Sequence, residues 1–237
     1  MCFHYSLTIE RAEIEIQLGA RWGEAWDPVY HETGFPFLPV PVRPQTAPAP
    51  PRLFHWGLIP PWVKSKADAD KLRAQTLNAR SETVFEKPSF RTSIMHNRCL
   101  VIADGFYEWM DFEKKKYPHY IRLKEKELFC FAGIYASWTD RETGEHIDSF
   151  SILTTDANPL MARIHNSKQR MPVIIPPAGY KKWLSPGLSK EEVGSFLKPY
   201  PESAMEAYTI SKRITSRTDN PTVPETMEPF TYPELPL

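Results

Sequence analysis

Eight of the chain's 24 prolines fall between Pro28 and Pro51, where Phe-Pro-Phe-Leu-Pro-Val-Pro-Val-Arg-Pro runs on into Ala-Pro-Ala-Pro-Pro. Each proline fixes its φ and deletes a backbone donor, so this stretch excludes a helix and argues against a central strand. It predicts an extended loop over about 28–51, either structural coil laid on the body or a segment offered to a proline-binding partner. The tail over about 220–237, from Pro-Thr-Val-Pro to Pro-Glu-Leu-Pro-Leu, reads the same way and should wrap the surface or fray.

The rest of the chain has to build the core. At 237 residues, 41% hydrophobic and 13% aromatic, it can form one sizeable globular unit, and the expectation is a single domain over 1–237. No apolar run reaches the roughly 18–20 residues of a membrane span, and the first residues lack the basic-then-apolar order of a signal peptide. Cys2, Cys99 and Cys130 are an odd, scattered set without metal-ligand spacing. That argues for a reducing, cytoplasmic setting and against a disulfide framework or a zinc site. With 29 basic and 29 acidic residues the formal charge is zero, which argues against a protein that coats nucleic acid indiscriminately. Any such contact must come from a local basic groove, helped by stacking or a covalent bond.

Hydrophobic patterning predicts a helix over Ile9–Gly19, with Glu10 and Glu13 in its first turn, and helices over Asn158–Ile164 and Lys190–Leu197, the last capped by Ser189. Strands are expected at Leu53–Leu58, Cys99–Ala103, Tyr120–Leu123, Leu128–Tyr135, Phe150–Thr154, Met171–Ile175 and Ala207–Ile210. There is no β-α-β alternation, glycine-rich phosphate loop or repeat. The fold class is therefore α+β: a mostly antiparallel, curled, barrel-like sheet with short peripheral helices.

Position 2 has a chemistry of its own. If Met1 is removed, Cys2 becomes a terminal residue with an amine and a thiol on adjacent carbons. Such a pair can capture an aldehyde as an imine and close on it through sulfur as a thiazolidine. An α-amine titrates near about 7.7–8.0 against about 10.4 for lysine, so near neutrality far more of it is in the attacking form. The plain alternative is a small apolar residue at position 2 by chance.

Four further islands set polar groups among apolar ones: Phe54-His55-Trp56-Gly57-Leu58-Ile59-Pro60-Pro61-Trp62, Asn78-Ala79-Arg80-Ser81-Glu82-Thr83, Ala103-Asp104-Gly105-Phe106-Tyr107-Glu108-Trp109, and Arg163-Ile164-His165 with Arg170-Met171-Pro172. Glu108, between two aromatics, fits a proton shuttle with a raised pKa or a carboxylate paired with arginine. His165 can be an acid or base, or a satisfied structural histidine. Asn78 can orient a substrate or the terminal amine, or cap backbone. Arg80 can fork onto a phosphate or be claimed by Glu82 or Glu108.

Together with Met1-Cys2, these islands resemble the SRAP family, the SOS-response-associated peptidases known as abasic-site processing proteins. The resemblance spans nearly the whole chain. It implies an enzyme that recognises the ring-opened aldehyde of an abasic deoxyribose in single-stranded DNA, with no cofactor or metal, as a monomer, in the cytoplasm and at the nucleoid. It implies Cys2 as covalent nucleophile, Asn78 holding sugar and amine, Glu108 assisting imine formation, and His165 acting in ring opening and slow reversal. Arg80 and Arg170 would grip the flanking phosphates. Trp62 and Trp109 would stack on bases, or are core aromatics. A lyase side-activity follows from the imine.

The chain departs from the family pattern twice. His4 stands where many relatives have arginine, so phosphate grip beside the nucleophile would depend on protonation. The four residues Asn-Ser-Lys-Gln between His165 and Arg170 form a longer spacer, and Lys168 could take over the Arg170 contact. Two other readings stay open: a cysteine (auto)peptidase using Cys2, His165 and Asn78, and a non-catalytic single-strand-binding module.

Overall fold

The structure, a computed structural model, describes residues 2–19, 21, 26–45, 50–125 and 128–235. In chain order its strands are β1 (His4–Leu7), β2 (Val29–Thr33), β3 (Pro39–Pro44), β4 (Arg52–Trp56), β5 (Asn78–Arg80), β6 (Arg98–Ala103) and β7 (Gly105–Phe112). They continue as β8 (Lys115–Leu123), β9 (Phe129–Thr139), β10 (His146–Asp156), β11 (Arg170–Pro172), β12 (Ile174–Ile175) and β13 (Met205–Thr209). Short helices lie between them: α1 (Arg11–Leu18), α2 (Lys66–Arg73), α3 (Arg91–His96), α4 (Pro159–Ile164), α5 (Tyr180–Trp183) and α6 (Lys190–Gly194).

Five strands close on themselves. β10 pairs in parallel with β4, β4 antiparallel with β3, β3 with β6, β6 with β9, and β9 back with β10. Strands of such a ring face core on most sides, which explains why every residue of β6 is buried and why β9 and β10 read as apolar runs. β5 adds to β10 in parallel, with Ile152 opposite Asn78. A second, antiparallel sheet runs β13-β8-β7-β1-β2. The two meet through rings: Tyr5 lies 5.5 Å from Trp56 and 6.1 Å from Phe131, and Phe106 lies 5.9 Å from Phe131. The α+β, barrel-centred class expected from sequence is what the chain adopts.

The proline-rich stretch is a correction. Instead of a loop over about 28–51, it supplies β2 and β3, and β3 is a ring strand carrying Pro39, Pro41 and Pro44. The neighbours of β3 are staggered: β4 covers Pro39–Val42 and β6 covers Val42–Pro44. Only Val42 has a partner on both sides, so each proline needs to satisfy one neighbour at most. Residues 46–49 of that stretch lie outside the described residues, as do Met1 and 236–237. The strand expected over Met171–Ile175 is broken at Val173, where the chain crosses from β10 to β9: Val173 N–H donates to Leu153 O, and Ala132 N–H donates to Val173 O. The tail wraps instead of fraying up to residue 235. Phe230 N–H donates to Thr209 O at 2.8 Å, and Tyr232 Oη donates to Ile210 O at 2.9 Å.

One joint holds β1 in place. Between β6 and β7, the Asp104 carboxylate accepts Ser6 Oγ at 2.5 Å, Thr8 N–H at 2.6 Å and Thr8 Oγ1 at 2.5 Å. Ser6 Oγ also meets Tyr120 Oη at 3.0 Å. Gly105 is required here, because a Cβ at that position would lie 2.1 Å from Tyr120 Oη. We expect Gly105→Ala to destabilise the protein by about 1–3 kcal/mol through overpacking. A Gly105→Ala denaturation midpoint equal to that of the parent would contradict the tight approach.

Candidate active site

Cys2 is separated from β1 by Phe3 alone, and is completely buried. Its carbonyl oxygen accepts Asn78 Nδ2 at 2.9 Å, and its thiol points to His4 O at 3.7 Å. Asn78 opens β5 and is held in register by β10, so a ring strand fixes the backbone of residue 2. Burial pushes the Cys2 thiol far above its ordinary value, so sulfur stays protonated.

Glu108 is on β7 opposite His119, and is 4% exposed. His165 caps the C-terminus of α4, whose start is capped by the Asn158 side chain accepting Met161 N–H at 2.8 Å. Its Nδ1 lies 2.9 Å from Arg170 O, which can only accept, so in neutral His165 the proton is on Nδ1. Nε2 then turns its lone pair toward Glu108 Oε2, 3.7 Å away. Burial raises Glu108 from 4.5 to about 8 and lowers His165 from 6.5 to about 4. Near neutrality the carboxyl holds the proton and the imidazole is neutral, so the pair offers an acid and a base side by side.

These two groups end a cavity of about 570 Å³ whose wall also includes Phe3, His4, Trp109 and Lys168. Cys2, Asn78, Glu108, His165, His4, Trp109 and Lys168 thus gather in one region. Trp62 does not join them: it is 56% exposed, lines a separate cavity with Lys64 and Lys71, and donates its indole N–H to Pro88 O at 3.4 Å. Arg80 is exposed at the end of β5 and does not line the cavity.

Two cations expected at the site are corrected. His4 Nδ1 lies 2.8 Å from His31 Nε2, with the rings stacked and Trp109 edge-on at 4.8 Å. Burial, with the His31 ring adding to it, pushes His4 down to about 3, so it carries no charge to a phosphate near neutrality. Arg170 is buried with its fork already filled: both nitrogens bond Glu82, Nη1 bonds Asp156 Oδ1 at 2.9 Å, and Nη2 bonds Thr154 O at 2.8 Å. It orients His165 through its own carbonyl instead of facing solvent. Position in a motif cannot reveal that the acid two residues after Arg80 is taken by Arg170 across the sheet. Sequence reading also passed over Lys116 and Lys212 on the cavity wall, and over Asp104, although Asp104 sits inside one of the islands. Among the described residues no cluster of three or more His, Cys, Asp or Glu could hold a metal ion, and no helix is long and apolar enough to cross a membrane.

The shifted pair makes stability depend on pH. A raised carboxyl contributes stability that is full below 4.5 and lost as pH rises through about 8. The depressed imidazole contributes stability that is full above 6.5 and lost as pH falls through about 4. Glu108→Gln removes the first dependence only. Its melting temperature should therefore gain on the parent as pH rises through the window between 4.5 and about 8; parallel curves would contradict the buried, protonated carboxyl.

Comparison with known proteins accords with this geometry. The profile of the family described as SOS response associated peptidase (SRAP) matches residues 1–217. The chain is 42% identical over 167 residues to abasic site processing protein YoqW of Bacillus subtilis (strain 168), covering 70% of this chain and 71% of that protein. It is 33% identical over 151 residues to abasic site processing protein HMCES of Xenopus tropicalis, covering 56% of this chain and 44% of that longer relative. A crystal structure of a Bacteroides thetaiotaomicron protein superposes with a TM-score of 0.91 at 39% identity, covering 97% of this chain and 100% of that one. The chain belongs to the SRAP family.

Proposed function

We propose that this chain processes abasic sites in single-stranded DNA by linking itself to them covalently through Cys2. The observation that carries this reading is the buried assembly of Cys2, held by Asn78, with the Glu108–His165 pair at the end of an open cavity. The names of the relatives, which are abasic site processing proteins, point to the same substrate.

In this reading Met1 is removed, and the neutral α-amine of Cys2 attacks C1′ of the ring-opened sugar. His165, by its Nε2 lone pair, takes the proton shed by nitrogen. His165 returns that proton to the former carbonyl oxygen, Glu108 gives its own to the hydroxyl so formed, and one water leaves to give a protonated imine. The thiol then adds to the imine carbon, its proton passes to the Glu108 carboxylate, and the thiazolidine closes. Asn78 keeps the backbone of residue 2 where both atoms of the new ring can form. Before sulfur closes, the imine acidifies the C2′ protons and permits β-elimination of the 3′ phosphate, a lyase side-reaction. Reversal retraces these steps, with His165 and Glu108 exchanging roles. Arg80, exposed beside the site, is the arginine of the two still available to a phosphate, and Trp109 on the cavity wall is the better placed of the two tryptophans to stack on a base.

A thiolate peptidase fits the geometry less well. The Cys2 thiol is held protonated, and Asn78 bonds the Cys2 carbonyl while His165 is oriented by Arg170 O, so no Cys-His-Asn relay is assembled.

The variants separate the readings. Cys2→Ala should form no heat-stable adduct with an abasic oligonucleotide. Cys2→Ser keeps the amine and should give only a species trapped by borohydride. One extra residue ahead of Cys2 should abolish capture, whereas a thiol-only protease would tolerate it. Glu108→Gln should slow adduct formation by roughly 10²-fold or more, the usual range for a lost acid or base. A heat-stable adduct from Cys2→Ala would remove this residue from the mechanism.

A further inference from the structure

The cavity that ends on Glu108 and His165 is entered by lysines from three separate parts of the fold. Lys116 follows the tight β7–β8 hairpin, whose turn residues Glu113 and Lys114 both have positive φ. Lys168 lies in the loop between α4 and β11. Lys212 opens the 3₁₀ turn Lys212–Thr215, with its ammonium over the rings of Tyr117 at 5.4 Å and Tyr232 at 5.8 Å. The docked tail supplies Tyr232, so the segment after residue 220 helps hold a cation at the cavity. Among the described residues none of the three ammoniums has a carboxylate within 4 Å. Glu234, the acid nearest in influence to Lys212, accepts the Tyr117 hydroxyl at 3.1 Å instead. The same lining is also apolar and aromatic, through Phe3, Trp109 and Pro118.

An aromatic lining combined with cations that have no carboxylate partner suits a nucleotide, whose base stacks and whose phosphate is anionic. The cavity is also of small-molecule size, within roughly 300–1,000 Å³. We infer that it seats the nucleotide adjoining the baseless sugar, with its base on Trp109 and Phe3 and its phosphate held by Lys116 and Lys212. This rests on the proposed reaction and gives it the cations that His4 and Arg170 do not provide. Lys116 also acts through space on both Glu108 and His165, as a cation directed into the cavity must. In a chain of zero net charge, such a local cluster is what can favour a strand threaded past Cys2 over nucleic acid in general.

The test is equilibrium binding of an undamaged and an abasic single strand across a salt series, for the parent protein and two double variants. Lys116→Ala/Lys212→Ala should flatten the slope of log K against log salt by about 1.4, two contacts at about 0.7 each, and weaken binding about 25-fold at about 0.1 M salt. Lys116→Arg/Lys212→Arg should keep the parent slope. Should the alanine pair melt early, the single changes Lys116→Gln and Lys212→Gln each carry half the predicted change. Parent affinity and slope in the alanine pair would overturn the assignment, as would weaker binding with an unchanged slope. Failure of the underlying reading looks different: the parent protein would form no covalent species with the abasic strand, while the salt slopes would still decide the lysines.

Discussion

The site depends on a buried set of side chains built around the first strand of the chain. β1 is the fourth strand of a five-stranded sheet, between β7 and β2, and the Asp104 carboxylate ties it to the joint between the two sheets through Ser6 and Thr8. That places residue 2 inside the protein, against β5, which pairs with ring strand β10 and contributes Asn78. Once Cys2, Glu108 and His165 share one enclosure, desolvation decides their protonation: thiol and carboxyl keep their protons and the imidazole stays neutral. A surface cluster of the same residue types would hold the opposite charges on the carboxylate and be of less use as an acid.

What the enclosure does not contain is a fixed positive charge for DNA. Arg170, whose carbonyl orients His165, is consumed by Glu82 and Asp156, and His4 is kept neutral by burial, with the His31 ring adding to it. The floor proposed to be catalytic and the cationic rim are therefore drawn from different layers. The floor comes from strands β5 and β7 and the end of α4, and the rim comes from a hairpin, a loop and a 3₁₀ turn backed by the docked tail. Such a division lets the rim vary in composition without disturbing the buried floor.

Much of this could be read from the sequence, and the failures are physical. Glu108 between Tyr107 and Trp109 announced its burial, and His165 followed a helix that does end there. Strands β6, β9 and β10 were legible because ring strands carry buried apolar, β-branched and aromatic residues. β3 was not, because proline content argues against a central strand unless the neighbours are known to be staggered, which is a tertiary fact. His4 and Arg170 were misjudged for the same reason. Their motif positions were visible, but the partners His31, Glu82 and Asp156 lie 27, 88 and 14 residues away. Lys116 and Lys212 fell outside every motif and are brought to the cavity only by hairpin and tail geometry.

The central claim is that a freed aminothiol at residue 2 closes a ring on the aldehyde of a baseless sugar. Intact mass spectrometry of the parent protein, incubated with an abasic single-stranded oligonucleotide, tests it most directly. The account predicts one species equal to the chain without Met1, plus the oligonucleotide, less one water, and stable to heating without reductant. Folded protein verified to begin at Cys2 that gains no mass under these conditions would contradict it.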